Sequence, residues 1–165
     1  MPERTEEAPR IVELRPRPTV AVRVHGTAND IAGMFMDNLP RVFAKVSALG
    51  ATLASPAFGR YHQYSAEDVD VEIGVGVDAI PDGLTPLAEC EPGEVGASEL
   101  PGGAAAVATH LGTYNTLSQT YDRLHEWIRV QGREEGPGPW ESYIDDPAVV
   151  KDHSMLRTEV VWPLA

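Results

Sequence analysis

Apolar positions recur along this chain with two periods. Thr19 to Val24 (Thr-Val-Ala-Val-Arg-Val) and Val69 to Val77, with Val71, Ile73, Val75 and Val77, alternate strictly and read as strands. Ile31, Phe35, Leu39, Val42, Val46 and Leu49 recur every three or four residues, the stripe of a helix. Asn29 is its predicted cap and Gly50 its stop. Pro40 inside that stripe predicts a kink or two shorter helices. Leu117, Tyr121, Leu124 and Ile128 define a second helix, with Asn115 as cap candidate and Gly132 as stop; Trp127 on it reads as core. Further strands are expected at Pro56 to Tyr64, Glu94 to Leu100, Ala104 to His110, Trp140 to Ile144 and Leu156 to Leu164. Ile11 to Leu14 is a short alternation closed by Arg15-Pro16-Arg17-Pro18.

The order of these elements repeats. Each half runs strand, Gly turn, helix, Pro-led aromatic strand, loop, strand. His25-Gly26-Thr27 aligns with Leu111-Gly112-Thr113 at a lag of 86, Glu72 with Glu159 at 87, and Pro56 with Pro139 at 83. The expected fold is therefore α+β. A duplicated strand-helix-strand-strand unit, with pseudo-repeats at about 19–78 and 104–165, forms a pseudo-twofold antiparallel sheet. Two long helices cover one face, and the other is left for a ligand cleft. One domain is expected over residues 11–165, preceded by a flexible tail at 1–10.

Charge narrows the function. The chain has 13 Lys plus Arg against 25 Asp plus Glu, a net charge of −12. Phosphate binding needs a basic face, so nucleic acid is not expected as a direct partner, nor an anionic membrane surface. An acidic balance is compatible with a cationic ligand, but ordinary solubility accounts for it first. One cysteine, Cys90, permits no internal disulfide, which fits a reducing, cytoplasmic setting. No apolar run approaches a membrane span, and Met1 to Arg10 has no signal-peptide core.

No metal, phosphate-loop or nucleophile-elbow motif occurs, and the five histidines are dispersed, so neither metal nor cofactor is expected. The chemistry-bearing stretches are Pro139-Trp140-Glu141-Ser142-Tyr143 and Arg157-Thr158-Glu159-Val160-Val161-Trp162. Alternation puts Glu141 and Tyr143 on one strand face, and Glu159 and Val161 on one face. A carboxylate on a half-buried face needs a partner: Glu141 is an exposed strand carboxylate, pairs with an arginine such as Arg157, or serves a ligand. Glu159 carries the same alternatives. Trp140, Tyr64, Tyr114 and Trp162 are candidates to stack on a flat ligand or to pack in a core. His110 ends a strand, where it faces a cleft or is satisfied locally.

The chain resembles the GyrI-like small-molecule-binding domain, also the effector-binding domain of multidrug-sensing transcription regulators. The resemblance spans about Ile11 to Leu164. It rests on Asp70-Val71-Glu72-Ile73-Gly74-Val75, Leu100-Pro101-Gly102-Gly103, His110-Leu111-Gly112-Thr113-Tyr114, the Trp127 helix, Pro139 to Tyr143 with Asp146-Pro147, and Thr158-Glu159-Val160. It implies binding of bulky, planar, hydrophobic and often cationic compounds. Glu141 would lie at the pocket base, Glu159 would be a second acidic position, and Tyr64, Tyr114 and Trp140 would be wall positions. Some stand-alone relatives are hydrolases of cyclopropane-bearing DNA-alkylating natural products, which would make Glu141 a general base and Tyr143 a proton donor. Others modulate gyrase by protein contact. No helix-turn-helix is expected before the domain, so transcriptional regulation by this chain alone is not expected.

Overall fold

The computed structural model describes residues 7–165. Their elements run β1 (Glu7–Leu14), β2 (Arg17–Gly26), α1 (Ile31–Ala48), β3 (Leu53–Tyr64), β4 (Val69–Val77), β5 (Gly96–Leu100), β6 (Gly103–Leu111), α2 (Leu117–Val130), β7 (Trp140–Tyr143) and β8 (Arg157–Pro163). The class is α+β, as the two periods predict. The described residues form two compact units: Arg15–Gly102, and β1 together with Gly103–Ala165.

In the Arg15–Gly102 unit the strand order is β5-β2-β4-β3, antiparallel throughout. The register Val20↔Val75, Val22↔Ile73 and Val24↔Val71 gathers β-branched side chains on one face. There they pack with Met34, Val42 and Val46 of α1 into one core. The buried row of α1 is Met34, Asn38, Val42 and Val46, with Ile31, Phe35 and Leu39 flanking it. Leu49, expected in the stripe, lies past the helix and is exposed, because Gly50 turns the chain at φ 68°. Helix α1 runs unbroken through Pro40. Pro40 and Met36 are both exposed, so the carbonyl that proline leaves unbonded is on the side where water can reach it.

Neither predicted asparagine is a helix cap. Asn29 lies inside a 3₁₀ turn at Ala28–Asp30. The Asp30 carboxylate accepts from the Thr27 backbone N–H at 2.8 Å and from its hydroxyl at 3.0 Å, closing the turn from the other end. Asn115 likewise sits within the 3₁₀ turn Tyr114–Thr116, bonded to Thr113. Strand β3 starts three residues before Pro56, and its register breaks between Leu53 and Ala57. The Ser55 hydroxyl there accepts the Gly76 N–H at 2.8 Å. A Cβ at Gly76 would stand 2.4 Å from that oxygen, so only glycine fits.

The second unit has the order β1-β6-β8-β7, also antiparallel. Ala106, Ala108 and Val160 meet Leu117, Leu124 and Ile128 of α2, with Trp127 packed at the margin. The expected tail at residues 1–10 is corrected in part. Residues 1–6 lie outside the described residues. Glu7 to Arg10 belong to β1, which pairs with β6 from Glu7↔Thr109 to Leu14↔Gly103 and satisfies the backbone groups of that edge. Each unit thus holds a strand-helix-strand-strand core plus one extra strand beside its first: β5 beside β2, and β1 beside β6.

Candidate functional site

Three strands of the second unit bring the site residues into register. Glu141 lies opposite Val160, which lies opposite Ala108; Tyr143 lies opposite Thr158, which lies opposite His110. Directly opposed residues share a face. Val160 and Ala108 pack on α2, so Glu141, Tyr143, Thr158 and His110 all face that helix. Strand β7 has four residues, and Glu141 on it meets Tyr121 of α2.

Glu141 is 7% exposed. Its Oε2 accepts the Tyr121 hydroxyl at 2.8 Å and its Oε1 accepts the Tyr143 hydroxyl at 3.0 Å. Both partners are neutral phenols. Burial pushes the Glu141 carboxyl above the ordinary carboxylate range, and the two phenol hydrogen bonds pull it only part of the way back. The rings extend outward as an aromatic arc. Tyr114 meets Tyr143 edge-on at 5.7 Å between centroids, Tyr121 meets Trp162 at 5.9 Å, and His125 tilts against Trp162 at 6.4 Å. The Trp162 indole donates to the Gly136 carbonyl at 3.1 Å, which fixes its plane. Tyr114 is 40% exposed and Tyr143 half-buried, so the arc leads from solvent down to the carboxylate. Burial and the nearby Asp146, Glu141 and Asp145 raise the Tyr114 hydroxyl above its ordinary value.

The arginine alternative for Glu141 does not hold. The Arg157 guanidinium is engaged by Asp145, with Nε at 2.9 Å and Nη2 at 3.0 Å.

Of the residues expected at the site, Glu141, Tyr143, Tyr114 and Trp162 come together. Glu159 does not: it pairs with Ser142 and Thr109, and a one-residue step along a strand reverses the face, so it points away from Glu141. Trp140 pairs with Val161 and is buried on that same opposite face. Tyr64 belongs to the other unit, 62% exposed and edge-on to Tyr61 at 5.6 Å. His110 is buried and locally satisfied: Nδ1 stands 2.7 Å from the Thr120 hydroxyl, and Nε2 stands 2.9 Å from the Thr113 carbonyl. Among the described residues no group of three or more His, Cys, Asp or Glu is placed to hold a metal ion.

Sequence reasoning missed Tyr121, which it took as one position of a core stripe. The available signal was its hydroxyl: a tyrosine on a buried helix face needs a partner for its O–H. Tyr121 is the residue that ties α2 to the carboxylate.

The family model for the GyrI-like small-molecule-binding domain matches residues 7–165, and the chain belongs to this family. No curated protein matches the chain in sequence. Solved structures share the fold. The EcmrR C-terminal domain is 22% identical, with 96% of this chain and 97% of that one covered and a TM-score of 0.78. The EcmrR chain of a DNA complex is 23% identical at the same TM-score, but this chain spans only 57% of it. A hydrolase from Listeria innocua (14% identity, 95% and 91% covered, TM-score 0.65) and SAV2435 bound to tetraphenylphosphonium (13%, 96% and 94%, 0.62) also match. Among the described residues no helix is long and apolar enough to cross a membrane.

Proposed function

We propose that this small-molecule-binding domain takes up hydrophobic aromatic cations, with Glu141 as the charge partner and Tyr114, Tyr121, Tyr143 and Trp162 as the surrounding rings. One observation carries the reading: a buried carboxylate whose hydrogen-bond partners are both neutral. Burial outweighs the two phenol hydrogen bonds in setting the direction of the Glu141 shift, so the ionised form is left short of compensation. A cation lodged among the rings supplies what the phenols do not, through the carboxylate and the ring faces together. Access to Glu141 requires Tyr143 or Tyr121, both half-buried, to swing aside. SAV2435, a fold neighbour, is bound to tetraphenylphosphonium, a bulky aromatic cation of the kind the arc suits.

The test is calorimetric titration of the protein and of Glu141→Gln with tetraphenylphosphonium. Loss of about tenfold or more in affinity, roughly 1.4 kcal/mol, is expected for the variant. Equal affinity for both proteins would remove Glu141 from the site.

Hydrolysis is the second reading, favoured by the Glu141–Tyr143 pair. A carboxylate held above its ordinary range is matched to proton abstraction from water, and the phenol 3.0 Å away is a proton donor. A fold neighbour from Listeria innocua is a hydrolase. In this structure both carboxylate oxygens hold phenols, so catalysis needs one phenol exchanged for water. The substrate class is cyclopropane-bearing DNA-alkylating natural products. Incubation with such a compound, followed by mass spectrometry, distinguishes the readings: addition of one water, lost in Glu141→Gln, supports turnover.

A further inference from the structure

The Glu141 site contains a second polar group that no element of the protein uses. Thr158 is 0% exposed, and its hydroxyl has no hydrogen-bond partner. A buried hydroxyl left unpaired costs about 1–3 kcal/mol, and valine would give β8 the same shape without that cost. Its two cross-strand neighbours are His110 and Tyr143. His110 is engaged at both ring nitrogens, by Thr120 and by Thr113. The Tyr143 hydroxyl donates to Glu141. Glu141 itself is the diagonal neighbour of Thr158 across β7 and β8, on the same face, a separation of roughly 7–8 Å between backbones and less between side chains.

We infer that Thr158 is a specificity-determining residue of the Glu141 site, its hydroxyl accepting an N–H from a ligand whose cationic ring centre rests on Glu141. The inference builds on the cation-binding reading above and narrows the ligand class. Preferred ligands are flat aromatic cations with an amino group about one ring away from the charged atom. A flat ring that displaces Tyr143 from Glu141 also uncovers the row on which Thr158 stands. A cation with only hydrocarbon around its charge would satisfy Glu141 and leave the threonine unpaired.

Two dyes separate these cases. Proflavine and acridine orange share a cationic acridine plane, but the exocyclic amines of proflavine carry N–H groups and those of acridine orange are methylated. Both are titrated, by fluorescence, into the wild type, Thr158→Val, Thr158→Ser and Glu141→Gln. The expected result is that Thr158→Val weakens proflavine roughly 3- to 10-fold, that acridine orange is unchanged, and that Thr158→Ser keeps the proflavine affinity. Glu141→Gln weakens both dyes. The thermal midpoint of Thr158→Val stays level or rises, because no partner is lost. The inference is overturned if Thr158→Val weakens both dyes equally or neither, or if it lowers the midpoint by several degrees, which would reveal a resident partner. If neither dye binds the wild type, or Glu141→Gln binds both as well as wild type, the cation-binding reading fails and takes this inference with it. Dye binding that depends on Glu141 but not on Thr158 sinks only the inference.

Discussion

Glu72 in one unit and Glu141 in the other are both buried strand glutamates, 4% and 7% exposed, yet their surroundings differ in kind. Glu72 stands between Arg60 on β3 and Arg23 on β2, and His62 Nε2 lies 3.1 Å from its Oε1. Arg23 is also held by Asp70, at 2.8 and 2.6 Å. Burial lowers the Arg60 guanidinium from its ordinary value, and Glu72 offsets only part of that. Around Glu72, then, two arginines act on the carboxylate through charge, although its Oε2 accepts no hydrogen bond. Glu141 has two neutral phenols as partners and, among the described residues, no ion pair. Glu72 also lies on the sheet face turned away from α1, whereas Glu141 lies under α2. A buried carboxylate alone therefore does not mark a site. What marks one is charge compensation that the protein itself leaves incomplete.

Substitutions can break this contrast, and the largest effect sets the scale. Ile73 adjoins Glu72 on β4 and faces α1 in the core. Ile73→Ala should cost about 2–5 kcal/mol in urea denaturation; a loss under about 1 kcal/mol would mean that β4 is not the centre of its unit. Glu72→Gln comes next, at about 1–3 kcal/mol destabilising, because it strips the counter-charge from a partly desolvated Arg60. The figure is kept low because Arg23 retains Asp70. A neutral Glu72→Gln would erase the distinction between the two glutamates.

The contrast also shows what could be read before the structure. Strict alternation in β2 and β4 located that core, because every second residue is β-branched. The same period of two put Tyr143 with Glu141. It also put Trp140, one residue from Glu141 on the same strand, on the other face, whereas excluding Glu159 needed the pairing Ser142↔Glu159, tertiary information that no single strand carries. Trp140 and Glu159 entered the candidate site through the family resemblance and their residue types, neither of which carries strand register. Tyr121 was hidden for a related reason: a helix stripe shows which side is buried, not which strand residue waits opposite. The β1–β6 pairing was hidden by distance along the chain, since Glu7 meets Thr109.

Removing a phenol sharpens the comparison from the other side. Tyr121→Phe deletes the 2.8 Å donor to Oε2 and should destabilise the unliganded protein by about 1–2 kcal/mol at neutral pH. It should also raise the Glu141 carboxyl further, readable by carboxyl NMR titration. If stability and titration both stay put, the hydroxyl does not support the carboxylate, and Glu141 has some other compensation.

The smallest effect is the most diagnostic. Glu141→Gln should be neutral or stabilising by up to about 1 kcal/mol at neutral pH, since it removes an ionised group held at a desolvation cost. Its pH dependence has a definite sign. The folded-state Glu141 carboxyl lies above its unfolded value, with burial as the main cause. The native state therefore holds the proton to higher pH than the unfolded chain does. That contribution is fully present below the ordinary carboxylate value and is lost as pH rises through the raised one. In urea denaturation across this window, the stability of Glu141→Gln relative to wild type should grow with pH and then level off. Affinity for tetraphenylphosphonium should climb over the same window in the wild type and stay flat in the variant, because only the ionised carboxylate attracts the cation. The opposite slope, with Glu141→Gln losing ground as pH rises, would mean that the two phenols more than compensate the charge. Glu141 would then be a structural carboxylate like Glu72, and the ligand would have to be sought elsewhere.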